Sequence, residues 1–241
     1  GSRLAWIAWN HPHMAWDRAE LRIGRLQACD GPEWTTVAGG GSSPLQPVWV
    51  DDEDLVYADD PTGRWNLWRL RLTADLHHEP IAAVDADTGG PLWVLGTRWF
   101  TLLTDGRIAA VEANGAEELV VLDTAGGHRA LPVDAVTRLS IEDARGARVL
   151  LSGAGSGGAG LWEVDVDDPA ATRLIVGGTS PWGAEWMPRS RPITLPGPHG
   201  PVHAFDYPPA NPGFAGPDGE RPPYVVFVHG GPTDHVGGAA S

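Results

Sequence analysis

Short strand-like runs recur along the first 170 residues with almost no helical periodicity between them, and this restricts the chain to a repetitive, mostly β architecture. Leu4 to Asn10 alternates, and Glu20 to Leu26 follows as a second run. Val48-Trp49-Val50 opens a unit that continues through Leu55 to Ala58 and Asn66 to Leu70. The next unit holds Leu92-Trp93-Val94, Phe100 to Leu103, Ile108 to Val111 and Leu119 to Leu122; a last one holds Val136 to Ile141, Arg148 to Ser152 and Leu161 to Val166. Trp6, Trp49 and Trp93 recur at 43 to 44 residues, and Leu139 follows 46 later. That spacing matches the repeat of a four-stranded propeller blade, so about four blades of a partial β-propeller are expected.

Turn chemistry supports the strands. Asp60-Pro61-Thr62-Gly63, Thr104-Asp105-Gly106-Arg107 and Asn114-Gly115 fall between them, where hairpins need residues that tolerate positive φ. His11 to Ala19 is interrupted by Pro12 and reads as a loop. Most of the twelve tryptophans read as core, packing blades face to face, with a minority on ligand-facing loops.

A net charge of −14 leaves no basic patch for nucleic acid or an anionic membrane surface. All seventeen basic residues are Arg, which removes Schiff-base lysine chemistry and the P-loop lysine. Cys29 stands alone and reads as a buried, inert thiol. No apolar run reaches the roughly 18 residues of a membrane span. With no signal peptide and no disulfide, a cytoplasmic location is expected. Gly1-Ser2-Arg3 runs straight into a strand and Val236 to Ser241 trails off after one, so the expectation is a chain cut at both ends.

Pro181, Pro188, Pro192, Pro196, Pro198 and Pro201 break the pattern and place a domain boundary near Trp186 to Arg191. The division expected is 1–188 for the propeller part and 189–241 for the N-terminal start of a second domain. Beyond it, Pro192 to Leu195 and Val202 to Tyr207 read as a hairpin across Pro198-His199-Gly200. Then Tyr224-Val225-Val226-Phe227-Val228 reads as a strand buried on both faces, ending in His229-Gly230-Gly231-Pro232-Thr233. Glycines there would let backbone NH groups approach a reacting carbonyl, although a Gly-Pro turn that simply ends a strand has the same composition.

Several stretches together resemble the prolyl oligopeptidase family of serine peptidases, in its bacterial dipeptidyl or acylaminoacyl branch: Leu4 to Asp17, with Trp9-Asn10-His11-Pro12; Gln46 to Trp49; Thr62 to Arg69; Tyr207 to Pro212; and His229 to Thr233. The resemblance implies a propeller that covers an α/β-hydrolase active site and admits short peptides, with no cofactor and no metal. It assigns Gly230 and Gly231 one backbone NH of the oxyanion hole, with His229 positioning the loop. It also places the family's nucleophilic Ser, its Asp and its His later than residue 241, so this chain alone is expected to be inert; His235 reads as a loop residue and Ser241 lacks the elbow around it. Two other classes remain open on the sequence: a propeller used as a binding scaffold, and an esterase on the same framework.

Three further patterns have bland readings. Gly155-Ser156-Gly157-Gly158-Ala159-Gly160 fits Gly-x-Gly-x-x-Gly, but a strand rather than a helix follows, so no dinucleotide site is expected. His11, His13 and Asp17 lack a second ligand cluster and read as structural. Asp165-Val166-Asp167-Asp168-Pro169 lacks the glycine and terminal Glu of a calcium loop and reads as a solvated turn.

Overall fold

The computed structural model describes residues 2–26, 33–123, 125–231 and 236–239. Cys29, Pro232, Thr233, His235 and Ser241 lie outside them.

Nearly every element is a strand, in sheets of consecutive antiparallel strands. The first sheet holds β1 (Arg3–Ala8), β2 (Glu20–Arg25) and β3 (Trp34–Gly39). The second holds β4 (Leu45–Trp49), β5 (Asp54–Asp59), β6 (Asn66–Arg71) and β7 (His77–Ala82). The third holds β8 (Phe100–Leu102), β9 (Ile108–Asn114), β10 (Ala116–Leu122) and β11 (His128–Leu131). The fourth holds β12 (Thr137–Arg145), β13 (Arg148–Gly155), β14 (Gly158–Asp165) and β15 (Arg173–Gly177). A separate hairpin, β16 (Arg191–Gly197) with β17 (Gly200–Asp206), follows where the sequence leads one to expect it, with Gly197 opposite Gly200.

The sheets pack as blades of a partial β-propeller, because the buried side chains fall into clusters between consecutive sheets. Leu21, Val37, Leu55, Tyr57 and Leu70 join the first sheet to the second. Leu45, Val56, Leu67, Phe100, Ile108 and Val120 join the second to the third. Leu119, Leu139, Ile141, Val149, Leu151, Trp162 and Val164 join the third to the fourth. Alternate residues of one strand therefore serve two cores: Val120 faces back and Val121 forward, the period of two that a strand between two blades requires.

Polar ties repeat between blades. Gln46, bulged at positive φ in β4, donates its amide to the Phe100 carbonyl at 2.6 Å and accepts from Trp99 N at 2.8 Å. Arg138 occupies the matching second position of β12, again at positive φ within a bulge, and the next residue's N donates to Glu117 Oε2 at 2.6 Å. The expected turns hold Gly63, Gly106 and Gly115 at positive φ.

Several expectations are corrected. Leu92-Trp93-Val94 is not a strand; it lies in the long connection between β7 and β8, where Trp93 rests on Trp16 instead of pairing. The tryptophan spacing therefore falls on the first described strand of the first two sheets, Trp6 in β1 and Trp49 in β4, and misses the third. The outer strands β3, β7, β11 and β15 were not anticipated; β15 is exposed along its whole length, so it carries no apolar alternation. Of the tryptophans, Trp162 alone is buried, while Trp9, Trp34, Trp93, Trp182 and Trp186 are exposed, because a large ring fits more readily along a blade edge than between two tight sheets. Tyr224 to Val228 forms no strand and is not buried. No described strand lies alongside to supply hydrogen bonds, so its backbone stays unpaired and its side chains face outward.

Candidate functional site

The glycine loop sits on a segment that leaves β17 at Asp206 and returns to nearly the same place. Residues 207–231 contain no helix or strand. The chain is back beside the hairpin by 236–239: Tyr207 OH donates to the carbonyls of Gly237 and Ala239, each at 3.3 Å, and Ser190 Oγ donates to Gly238 O. Gly237 lies so close to Thr137 at the entry of β12 that a Cβ there would sit 1.4 Å from its hydroxyl, and Gly238 abuts Phe205. Gly231 precedes Gly237 by six residues, so it lies within roughly 20 Å of the entry of β12.

The hairpin's open end is closed by Arg191, which donates to Asp206 Oδ2 through Nη2 and, at 3.2 Å, through Nε. This pairing holds the Arg191 guanidinium above its usual range, and Asp206 Oδ1 is buried with no partner among the described residues.

Within the loop, His229, Gly230 and Gly231 are all exposed. His229 Nδ1 lies 3.4 Å from the Gly230 carbonyl, and Gly231 has φ 76°. A Cβ on either glycine would meet nothing within 4 Å. Both glycines leave their backbone open to an incoming group, and Gly231 adopts a conformation that other residues rarely take. Among the described residues nothing pairs His229 with a carboxylate or a hydroxyl, so the loop stands by itself and no nucleophile–base–acid constellation surrounds it.

Ser156 and Gly157 form the tight turn of the β13–β14 hairpin, in which Gly155 pairs with Gly158. A Cβ on Gly155 would lie 2.1 Å from the Asp134 carbonyl and one on Gly157 1.9 Å from the Gly178 carbonyl, so these glycines serve close backbone approach rather than a phosphate. Asp17 Oδ2 accepts from Met14 N at 3.0 Å, which orders the loop holding His11 and His13; no group of three or more metal-ligating residues occurs among the described residues. Asp165 Oδ1 accepts from the N atoms of Asp167 and Asp168, and Arg107 pairs with Asp167 at 2.7 Å, as a solvated turn would. No helix among the described residues is long and apolar enough to cross a membrane.

One feature escaped the sequence reading. The β1–β2 connection, residues 9–19, surrounds a cleft of about 250 Å³ lined by Trp9, Asn10, His11, His13, Arg18 and Glu20 among others. Its residue types were legible, but nothing in their spacing showed that they converge.

No family model and no curated protein matches the chain. Solved structures do. A puromycin-hydrolyzing peptidase from Mycobacterium tuberculosis superposes with a TM-score of 0.88 at 36% identity, over 98% of this chain and 36% of that one. A puromycin hydrolase, also solved as a mutant complexed with PGG, gives 0.88 at 33% identity, over 99% of this chain and 37% of its own. Prolyl oligopeptidase B from Galerina marginata shares the fold, with a TM-score of 0.66 at 12% identity over 85% of this chain and 29% of that one. The chain belongs to the prolyl oligopeptidase family. It spans a little over a third of the length of the first two structures, and at the level of the family the activity is that of a peptidase.

Proposed function

We propose that the chain is part of a serine-type peptidase that removes amino-terminal residues, dipeptides or acylated residues from short peptides. In this reading residues 189–241 begin the catalytic domain and residues 1–188 belong to the propeller that screens access to it. The observation that carries the reading is the 36% identity sustained over 98% of the chain with a peptidase that hydrolyses puromycin. Puromycin hydrolysis and a complex with PGG in such relatives support small substrates with peptide-like bonds.

The chemistry assigned to this chain is narrow. As a substrate carbonyl becomes tetrahedral its oxygen gains negative charge, and a backbone NH of the Gly230-Gly231 loop would donate to it in place of water. Glycine matters because a side chain there would hold the carbonyl away. The Ser, His and Asp that complete the reaction have no counterpart among the described residues, so the 241-residue chain is expected to resist labelling by a fluorophosphonate. Heat-sensitive labelling would contradict this.

The test uses protein expressed from the complete gene, assayed on aminoacyl and dipeptidyl coumarin amides and on puromycin. Gly230→Ala is expected to leave the melting temperature unchanged, since a Cβ meets nothing there, while kcat/KM falls roughly 10- to 100-fold, somewhat less than the loss of a whole oxyanion donor. No hydrolysis by the parent enzyme, or full activity in Gly230→Ala, would overturn the reading and turn attention to a binding scaffold.

A further inference from the structure

We propose that the cleft of the β1–β2 connection binds the terminal carboxylate of a short peptide, with Arg18 as its counter-charge and the Trp9 ring as an apolar wall beside it. The inference rests on the peptidase reading for the identity of the ligand, but the site itself is argued from this chain alone.

The loop is built rather than slack. Ala15 and Ala19 are buried, at 7% and 1% exposure, and Trp16 packs its ring on Trp93 with centroids 4.1 Å apart. Asp17 caps the turn through Met14 N, His13 N donates to Asn10 O at 3.0 Å, and Ala19 N donates to Ser42 O at 3.1 Å. With those residues fixing the backbone, Trp9, Asn10, His11, His13 and Arg18 all project to solvent around the cleft. Its volume of about 250 Å³ suits the end of a peptide rather than a whole ligand.

Charge points to the ligand. In a protein of net charge −14 many arginines pair with acids, as Arg22 does with Glu20, Arg64 with Asp85 and Asp87, Arg107 with Asp105 and Asp167, and Arg173 with Glu163; Arg18 is one of the arginines that do not, and it lines a cleft. The Arg18 guanidinium has no hydrogen bond or ion pair among the described residues. The acid lining the same cleft spends its hydrogen bonds elsewhere: Glu20 accepts from Arg22 Nη2 at 2.7 Å and from Thr36 Oγ1 at 3.1 Å, and the Arg22 hydrogen bond chiefly holds its pKa below the usual value, with the Arg18 charge contributing least from a distance. An open guanidinium presents a planar fork that matches a carboxylate, and the Asn10 amide and the imidazoles of His11 and His13 add donors around it.

Position fits as well. A sheet of four antiparallel strands returns the chain to the face on which it entered, so every first strand begins on one face of the propeller. Ala19 is tied to Ser42 just before β4, and the returning segment that follows the glycine loop touches Thr137 at the start of β12. The cleft and the segment that follows the glycine loop thus belong to the same face.

The experiment compares binding of Ala-Ala-Phe and its C-terminal amide to the 241-residue chain by NMR titration, following the Trp9, His11, His13 and Arg18 side-chain signals. The free acid is expected to bind about tenfold more tightly than the amide, as one charge-assisted hydrogen bond would give. Arg18→Gln is expected to abolish that preference with the sheet amide signals unmoved, and Arg18→Lys to restore part of it. Equal binding of acid and amide, no binding of either, shifts confined to other residues, or a preference that survives Arg18→Gln would overturn the proposal; so would displacement of the acid by an equal concentration of inorganic phosphate. No bond is cleaved in this assay, so its failure leaves the Gly230→Ala result standing, and failure of that result leaves the carboxylate preference measurable.

Discussion

Ile108 to Glu112 and Tyr224 to Val228 are both five-residue runs dominated by apolar side chains, and they end in opposite states. In β9 every one of these positions is buried, from Ala109 and Ala110 at 0% to Glu112 at 9% exposure. In the later run every side chain is exposed, Tyr224 by 76% and Phe227 by 91%. The difference lies in the neighbours. β9 has β8 on one edge and β10 on the other, with a packed blade against each face. Tyr224 to Val228 has neither, so its apolar surface stays in water at a cost of roughly 25 cal/mol per Å². An apolar run shows that burial would be favourable; partners for both edges and both faces decide whether it happens.

The contrast can be broken at its buried side first. Leu151 is fully buried in the cluster between the third and fourth blades, and Leu151→Ala is expected to cost about 2–5 kcal/mol in chemical denaturation. A loss below about 1 kcal/mol would mean that the blades do not pack as described. Next in size is the polar end of β5. Asp59 is buried at 4% exposure, and burial raises its pKa from 3.8 to about 6 against the opposing hydrogen bond from Ser42. A carboxyl whose folded pKa lies above its unfolded value stabilises the fold below the unfolded pKa, and that contribution is lost as pH rises through about 6. Relative to the parent, Asp59→Asn is therefore expected to gain stability between pH 4 and pH 6, by an amount on the order of 2–3 kcal/mol. A difference that does not change with pH in that window would show that the Asp59 carboxyl is not desolvated. Smallest of all is Val226→Ala, expected to shift stability by less than about 0.5 kcal/mol because the side chain has no packing to lose.

Legibility in the sequence followed the same line. Inner and middle strands were visible because they lie between two cores: Leu55 to Ala58, Ile108 to Val111 and Leu119 to Leu122 were located almost to the residue. The outermost strands were invisible because they carry no apolar alternation: Arg173–Gly177 is exposed throughout, and His77–Ala82 is half-buried with polar residues and Pro80 breaking its pattern. Turns announced themselves through Gly63, Gly106 and Gly115, whose positive φ is a local requirement. Leu92 to Val94 misled because an apolar triplet can anchor a connection, here Trp93 on Trp16, as readily as start a blade. The glycine loop was legible as a motif, whereas the cleft around Arg18 was not, because it arises from how a loop folds over buried Ala15 and Ala19.

Hydrogen exchange read by mass spectrometry tests the central contrast most directly, since one experiment on the 241-residue chain reports both runs. The account predicts that peptides covering Ile108 to Glu112 stay protected for hours while those covering Tyr224 to Val228 exchange within seconds, at the rate of an unstructured peptide. Protection of Tyr224 to Val228 comparable to that of β9 would contradict it, and would mean that this run has found strand partners.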